Sequence, residues 1–177
     1  MNLFKELALN DDSNVIISPL SIYQALSLTS NGARSSTLQE MLDTLDSSSI
    51  ESLNRRNIEI NKAISAQKDL VIANAVFAAR SPVETFKQIA KMYKAEVSRL
   101  ARVAQVNGWC AKNTNNKITE IIDKIGPNTM MILLNAVYFK SKWLYQFDPR
   151  RTTVRPFYLN ANEKKNMKMM YMEKSRQ

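Results

Sequence analysis

Two stretches constrain this chain more than any others: residues 70–79 (LVIANAVFAA) and residues 130–143 (MMILLNAVYFKSKW). Neither alternates apolar with polar, as a strand with one face in water would. Near-continuous apolar strands are stable only where both faces are covered. Such strands belong in a sheet with material layered on each side, and the amphipathic segments around them are the candidates this chain offers.

Those segments can be read in order. Leu3, Phe4, Leu7 and Ala8 have the spacing of a short amphipathic helix, broken by Asp11-Asp12-Ser13-Asn14, four turn-forming residues. Val15-Ile16-Ile17 predicts a short buried strand. Ser18-Pro19 opens a second helix, with Ser18 as N-cap and Pro19 in the first helical position, and Asn31-Gly32 ends it. A third helix starts at Ser36 or Thr37, with Leu38, Met41, Leu42 and Leu45 on one stripe and Ser36 spaced from Gln39 as in a capping box.

Ser47-Ser48-Ser49 caps a fourth helix, with Ile50, Leu53, Ile60 and Ile64 inward and Arg55, Arg56 and Lys62 outward. Phe86, Ile89, Ala90 and Tyr93 mark another helix. Residues 106–125 predict a longer one, with Trp109, Cys110, Ile118, Ile121, Ile122 and Ile125 apolar, stopped at Gly126-Pro127-Asn128. Alternation at residues 154–159 and 167–172 predicts edge strands of a polar sheet. The elements are grouped rather than strictly alternating, so the fold class is α+β.

Function is narrowed mostly by what is missing. The chain has no histidine, which removes the commonest neutral-pH general base, the Ser-His and Cys-His pairs and the commonest metal ligand. Cys110 is the only cysteine, so neither an internal disulfide nor a thiolate metal site can form; it reads as a small buried side chain rather than a reactive thiol. Dinucleotide, Walker A, nucleophile-elbow and CxxC motifs are absent, and no enzyme activity, cofactor or metal is expected. The methionines at 167, 169, 170 and 172 read as apolar packing rather than a soft-metal site. No run suits a membrane span and no cleavable signal is evident, so the expected location is cytoplasmic, or extracellular without a cleavable signal peptide.

Charge is uneven. Residues 1–79 carry 6 Lys/Arg and 9 Asp/Glu, and residues 80–177 carry 19 and 7, for a net charge of +9. Arg55, Arg56 and Lys62, with Lys68, could form a stripe for a sulfated polysaccharide or nucleic acid; the plainer reading is a solvated face balanced in part by Glu51 and Glu59. A denser cluster (Arg150, Arg151, Arg155, Lys164, Lys165, Lys168, Lys174, Arg176) has Phe157, Tyr158 and Tyr171 among it. It reads either as polyanion binding or as basic protection of an edge strand.

The order of the pieces is more specific than any one of them. Asn14-Val-Ile-Ile-Ser-Pro-Leu-Ser-Ile22, then Ala25-Leu26, Asn31-Gly-Ala33 and Thr37-x-x-Glu40-Met41 resembles the opening of serpins. Leu70-Val-Ile-Ala-Asn74-Ala-Val-Phe77 is similar to the strand that follows their fourth helix. Asn107-x-Trp109 with Thr114-x-x-Lys117-Ile118 resembles the helix that crosses their main sheet. Leu134-Asn135-Ala-Val-Tyr-Phe-Lys140-Ser-Lys-Trp143 is similar to the central strand, and Met169-Met170 to the paired methionines of the next. Departures are Ile17 in place of an aromatic, and Asn116 and Ser141 in place of glycine.

The resemblance implies that residues 1–177 are one serpin domain, incomplete at its C-terminus, with helices on a mixed central sheet. It implies that Ser18, Ser21 and Asn135 belong to the shutter, the polar cluster governing sheet opening. By the same resemblance Trp143 sits at the breach, where a loop first inserts, and Trp109 anchors the crossing helix. The longer form would be a suicide-substrate inhibitor of serine or cysteine proteases, working by loop insertion without catalytic residues of its own. The bait loop lies near the C-terminus of such proteins, so this chain alone is expected not to inhibit. A second expectation, a non-inhibitory module for heparin-like polymers (glycosaminoglycan) or nucleic acid, rests on the basic residues named above.

Overall fold

The computed structural model describes residues 15–173; the first expected helix and the turn after it, with Lys174 and Arg176, lie outside them. The chain divides into two compact units, residues 1–139 and residues 140–177.

In the first unit the helices are α1 (Pro19–Ser30), α2 (Ser35–Thr44), α3 (Ile50–Ser65), α4 (Glu84–Met92) and α5 (Val103–Asn113), and the strands are β1 (Leu70–Ala78), β2 (Ala95–Arg99) and β3 (Met131–Phe139). The sheet order is β2-β1-β3: β1 runs parallel to β2, through the α4 crossover, and antiparallel to β3. The central strand is the one the apolar run demands. Ala75 and Phe77 lie against Val106, Trp109 and Cys110 of α5. Val76, on the opposite face, lies against Leu28 of α1 and Phe86, Ala90 and Tyr93 at α4. The last five residues of β1 are buried, because helices cover both faces. A third cluster, Leu42, Leu45 and Leu53, joins α2 to α3.

The second unit is a hairpin of β4 (Thr153–Tyr158) and β5 (Lys164–Met169), antiparallel and exposed along nearly its whole length, preceded by a 3-10 turn at Pro149–Arg151. The turn is closed by Asp148, whose carboxylate accepts from the Arg150 backbone N–H at 2.9 Å.

Several expectations change. Residues 15–17 are not a strand, and Ile16 is 94 % exposed. Among the described residues this segment pairs with no strand of either sheet, so its backbone groups have no ladder to join. Ser36 and Gln39 form no capping box; Gln39 Nε2 donates instead to Asp43 Oδ1 at 2.8 Å, one turn along.

The inner row of α3 is Leu53, Asn57 and Asn61, while Ile60 and Ile64 are only half-buried. The reason is that α3 meets a polar side of α1. There Gln24 Nε2 donates to Asn61 Oδ1 at 2.7 Å, and the Asn31 and Asn54 amides bond each other in both directions at 3.0 and 2.8 Å.

The expected helix over residues 106–125 stops at Asn113. Asn115 and Asn116 follow with φ of 50° and 57°, the left-handed region that ends a helix. Thr114 closes the end, its hydroxyl donating to the Cys110 carbonyl at 2.9 Å and accepting from the Ile118 N–H at 3.0 Å. β2 was not anticipated, since five residues with two charges carry little strand signal.

Candidate functional site

Strands β1 and β3 each have a single amide in an otherwise apolar sequence, and both lie in the same triplet, Asn-Ala-Val: Asn74 in β1 and Asn135 in β3. The antiparallel register sets them directly opposite. Both project to the face where α1 lies, since Val76 and Leu133, each two residues away, belong to that side's core. Asn135 Nδ2 donates to Asn74 Oδ1 at 2.8 Å. From beneath, the Ser21 hydroxyl of α1 donates to Asn135 Oδ1. Ser21 and Asn74 are buried and Asn135 half-buried, so the three form a polar latch under the sheet, tying a helix to two neighbouring strands.

Ser21 is aimed upward by the start of its helix. Ser18 sits just outside α1 in extended conformation, its carbonyl accepting from the Ser21 N–H at 3.1 Å and its hydroxyl from the same N–H at 3.4 Å. Ser18 therefore caps the helix one turn from the latch, while the hydrogen bonds of Asn135 go to Ser21 and Asn74. Asn74 was not singled out by residue type, although a lone amide in an otherwise apolar strand, matched by the same triplet in the partner strand, is the signal that identifies it.

A second polar layer lies deeper. Tyr93, after α4, donates to Asn54 Oδ1 at 2.7 Å, and burial pushes its phenol far above the ordinary range. Gln24 Oε1, Asn57 Oδ1 and Asn61 Nδ2 are buried with no hydrogen-bond partner. Cys110 is buried between α5 and the sheet, on the face opposite α1, and desolvation raises its thiol pKa, the setting of an inert sulfur.

Trp109 is 8 % exposed and meets Phe77 edge-on, ring centroids 6.5 Å apart, which fastens α5 to β1. Trp143, in the second unit, is 66 % exposed with Phe147 edge-on at 5.8 Å. Of the α3 cations, Lys62 pairs with Glu59 at 2.7 Å and Arg56 donates to the Tyr23 hydroxyl and the Asp46 carbonyl, each at 3.3 Å. Arg55, Arg56 and Lys62 are thus not drawn into one free stripe.

In the second unit Arg150 holds the Asp148 carboxylate, lowering its pKa, and Arg151 and Arg155 both lie over the Tyr171 ring at 5.2 and 5.0 Å. Lys164, Lys165 and Lys168 stand exposed on β5. Among the described residues no group of three or more His, Cys, Asp or Glu could hold a metal, and no helix is long and apolar enough to cross a membrane. The latch itself contains no titratable side chain. It can hold or release a strand, but it cannot move a proton.

A family model described as "Serpin (serine protease inhibitor)" matches residues 1–177. Human serpin B9 is 34% identical over 180 residues, covering 93% of this chain and 48% of its own length. The leukocyte elastase inhibitor of Xenopus tropicalis is 32% identical over 191 residues, covering 98% and 51%. Among solved structures, Manduca sexta serpin-12 superposes with a TM-score of 0.88 at 30% identity, covering 96% of this chain and 51% of its own. Reactive-loop-cleaved human thyroxine-binding globulin superposes at 0.87 with 27% identity, covering 97% and 56%. The chain spans about half the length of the curated relatives it matches.

Proposed function

Since the chain belongs to the serpin family, we propose that it is the shutter-bearing part of a protease inhibitor, able to trap a serine or cysteine protease only together with the other half of the fold. One observation carries this reading: Ser21, Asn74 and Asn135 meet under the sheet and lock α1 to both β1 and β3. Inhibition by loop insertion needs a sheet that holds shut until cleavage and then admits a strand. A latch of neutral hydrogen bonds suits that task. Each bond contributes about 1 kcal/mol net, enough to bias the sheet and small enough to break on insertion. Trp143 would stand where the loop enters, and Trp109 would keep α5 on the sheet while it moves.

Several of the most similar relatives are named as protease inhibitors, which supports the inhibitory reading. Thyroxine-binding globulin has a name for a different task, so membership alone does not decide between them. The polyanion reading gains nothing from α3, where two of the three cations are engaged.

The test is a chimera joining residues 1–177 to the C-terminal half of the Xenopus tropicalis leukocyte elastase inhibitor, incubated with leukocyte elastase. The chimera is expected to form an SDS-stable complex and the 177-residue chain none. With Asn135→Ala in the chimera, the product is expected to shift from complex toward cleaved inhibitor. A chimera that is only cleaved, or a native chain that forms the complex by itself, overturns the proposal.

A further inference from the structure

The outer edge of β2 is free. The sheet ends there, and among the described residues no strand pairs with it. Beside this edge runs a groove of about 940 Å³ lined by residues between Ala78 and Arg99. It is made by one contiguous piece of chain, the end of β1, α4 and β2, so its shape comes from a local crossover. Lys87 and Lys91, one turn apart on α4, line it together with Lys94 at the turn into β2 and Arg99 at the far end of the strand. Lys94 is held there in left-handed conformation, φ 54°.

The charge of this groove is largely uncompensated. Glu96 is the only acidic residue lining it, and its carboxylate accepts from the Ser98 hydroxyl at 3.1 Å. Lys87 meets Glu84 at 3.4 Å, and Lys94 donates to Ser65. Neither Lys91 nor Arg99 has an ion-pair partner among the described residues, and both are exposed. Two features thus coincide: a row of backbone groups with no ladder partner, and three or four cations alongside it.

We propose that this groove takes an extended acidic peptide segment of a partner protein, added to β2 as a further strand. Charge complementarity selects the acidic side chains. The open edge selects a peptide, because only another backbone offers alternating N–H and C=O groups at ladder spacing. Cations beside an edge repel basic strands, and apolar ones would have to desolvate them, so one device guards the edge and filters its partner. A sulfated polysaccharide would satisfy the cations but leave the edge unpaired. This proposal is independent of the inhibitory reading.

The experiment uses the 177-residue chain and a fluorescein-labelled peptide of alternating Glu and Val. Its companions are an isomer N-methylated at every second residue, a Lys-for-Glu counterpart and a heparin fragment. The Glu-Val peptide is expected to bind, and N-methylation to weaken it about tenfold by removing its ladder donors. The double variant Lys91→Glu/Arg99→Glu is expected to weaken it about tenfold or more, and Arg55→Glu, outside the groove, to leave it unchanged. The Lys counterpart is expected not to bind. Equal binding of the N-methylated isomer overturns strand addition. Heparin binding that the double variant abolishes, with no peptide binding, assigns the groove to a polysaccharide instead, and no binding of any probe overturns the site.

Discussion

Asn135 is the centre of the latch: it accepts from Ser21 below and donates to Asn74 beside it. Asn135→Ala leaves a buried hydroxyl and a buried amide without a partner, which costs about 1–3 kcal/mol. Urea denaturation of the variant is expected to show that loss; a change within error would mean the latch is occupied by water as readily as by the amide. Tyr93 gives a pH-dependent counterpart. The unfolded phenol releases its proton near pH 10, whereas burial makes the folded one hold it to higher pH. The folded state therefore binds more protons above about pH 10, and its stability, intact below that pH, falls as pH rises toward the folded value. Tyr93→Phe is expected to lose about 1 kcal/mol at neutral pH with its bond to Asn54, yet to decline less steeply above pH 10. Parallel alkaline slopes for the two proteins would refute the assignment.

At the level of elements, apolar spacing was a sound guide wherever one residue type decided the matter, and it failed where polar side chains did. Phe86, Ala90 and Tyr93 are buried as their periodicity demands, and β1 is buried on both faces over its last five residues, while its first four are only partly covered. The inner row of α3 escaped because two of its three buried residues are asparagines, Asn61 bonded to Gln24 of α1 and Asn57 to the Leu53 carbonyl of α3 itself. The end of α5 escaped for a related reason: the isoleucines at 118, 121 and 122 continue a helical spacing that two left-handed asparagines have already cut. What holds that segment is Asn107 of α5. Its Oδ1 accepts from the N–H groups of Ile121 and Ile122 at 3.0 and 3.1 Å, and its Nδ2 donates to the Ile122 carbonyl at 2.9 Å. Asn107→Ala removes all three bonds while leaving Trp109 and the sheet core in place. Limited trypsinolysis at Lys117 and Lys124 is expected to quicken several-fold, with the global melting temperature moved by only a few degrees. Unchanged cleavage would mean that the segment is held by Ile122 in the core instead.

For the molecule as a whole, the same property that made the strands legible leaves one of them incomplete. Residues 130–143 read as a strand buried on both faces, yet β3 is an edge strand with Ala136 its only fully buried residue and Met131 and Phe139 exposed at its ends, 49 % and 69 %. The apolar run was a correct statement of what the strand needs, but a run of residues cannot name the element that meets the need. Nothing among the described residues pairs with the outer edge of β3, and the relatives are about twice as long. An apolar, unpaired edge is a template for another strand, and β3, unlike β2, carries no charged residue of its own. At micromolar concentration the 177-residue chain is therefore expected to self-associate and to bind an apolar dye, as read by light scattering with size-exclusion chromatography and by dye fluorescence. Met131→Lys/Phe139→Lys is expected to return it toward monomer by charging the two ends of the edge. Leu144→Lys, in the second unit and 89 % exposed, separates the causes: it should change little if the edge drives association, and as much as the double variant if surface apolarity alone does. A monomeric, dye-free native chain would show that the open edge of β3 is not a site of self-pairing.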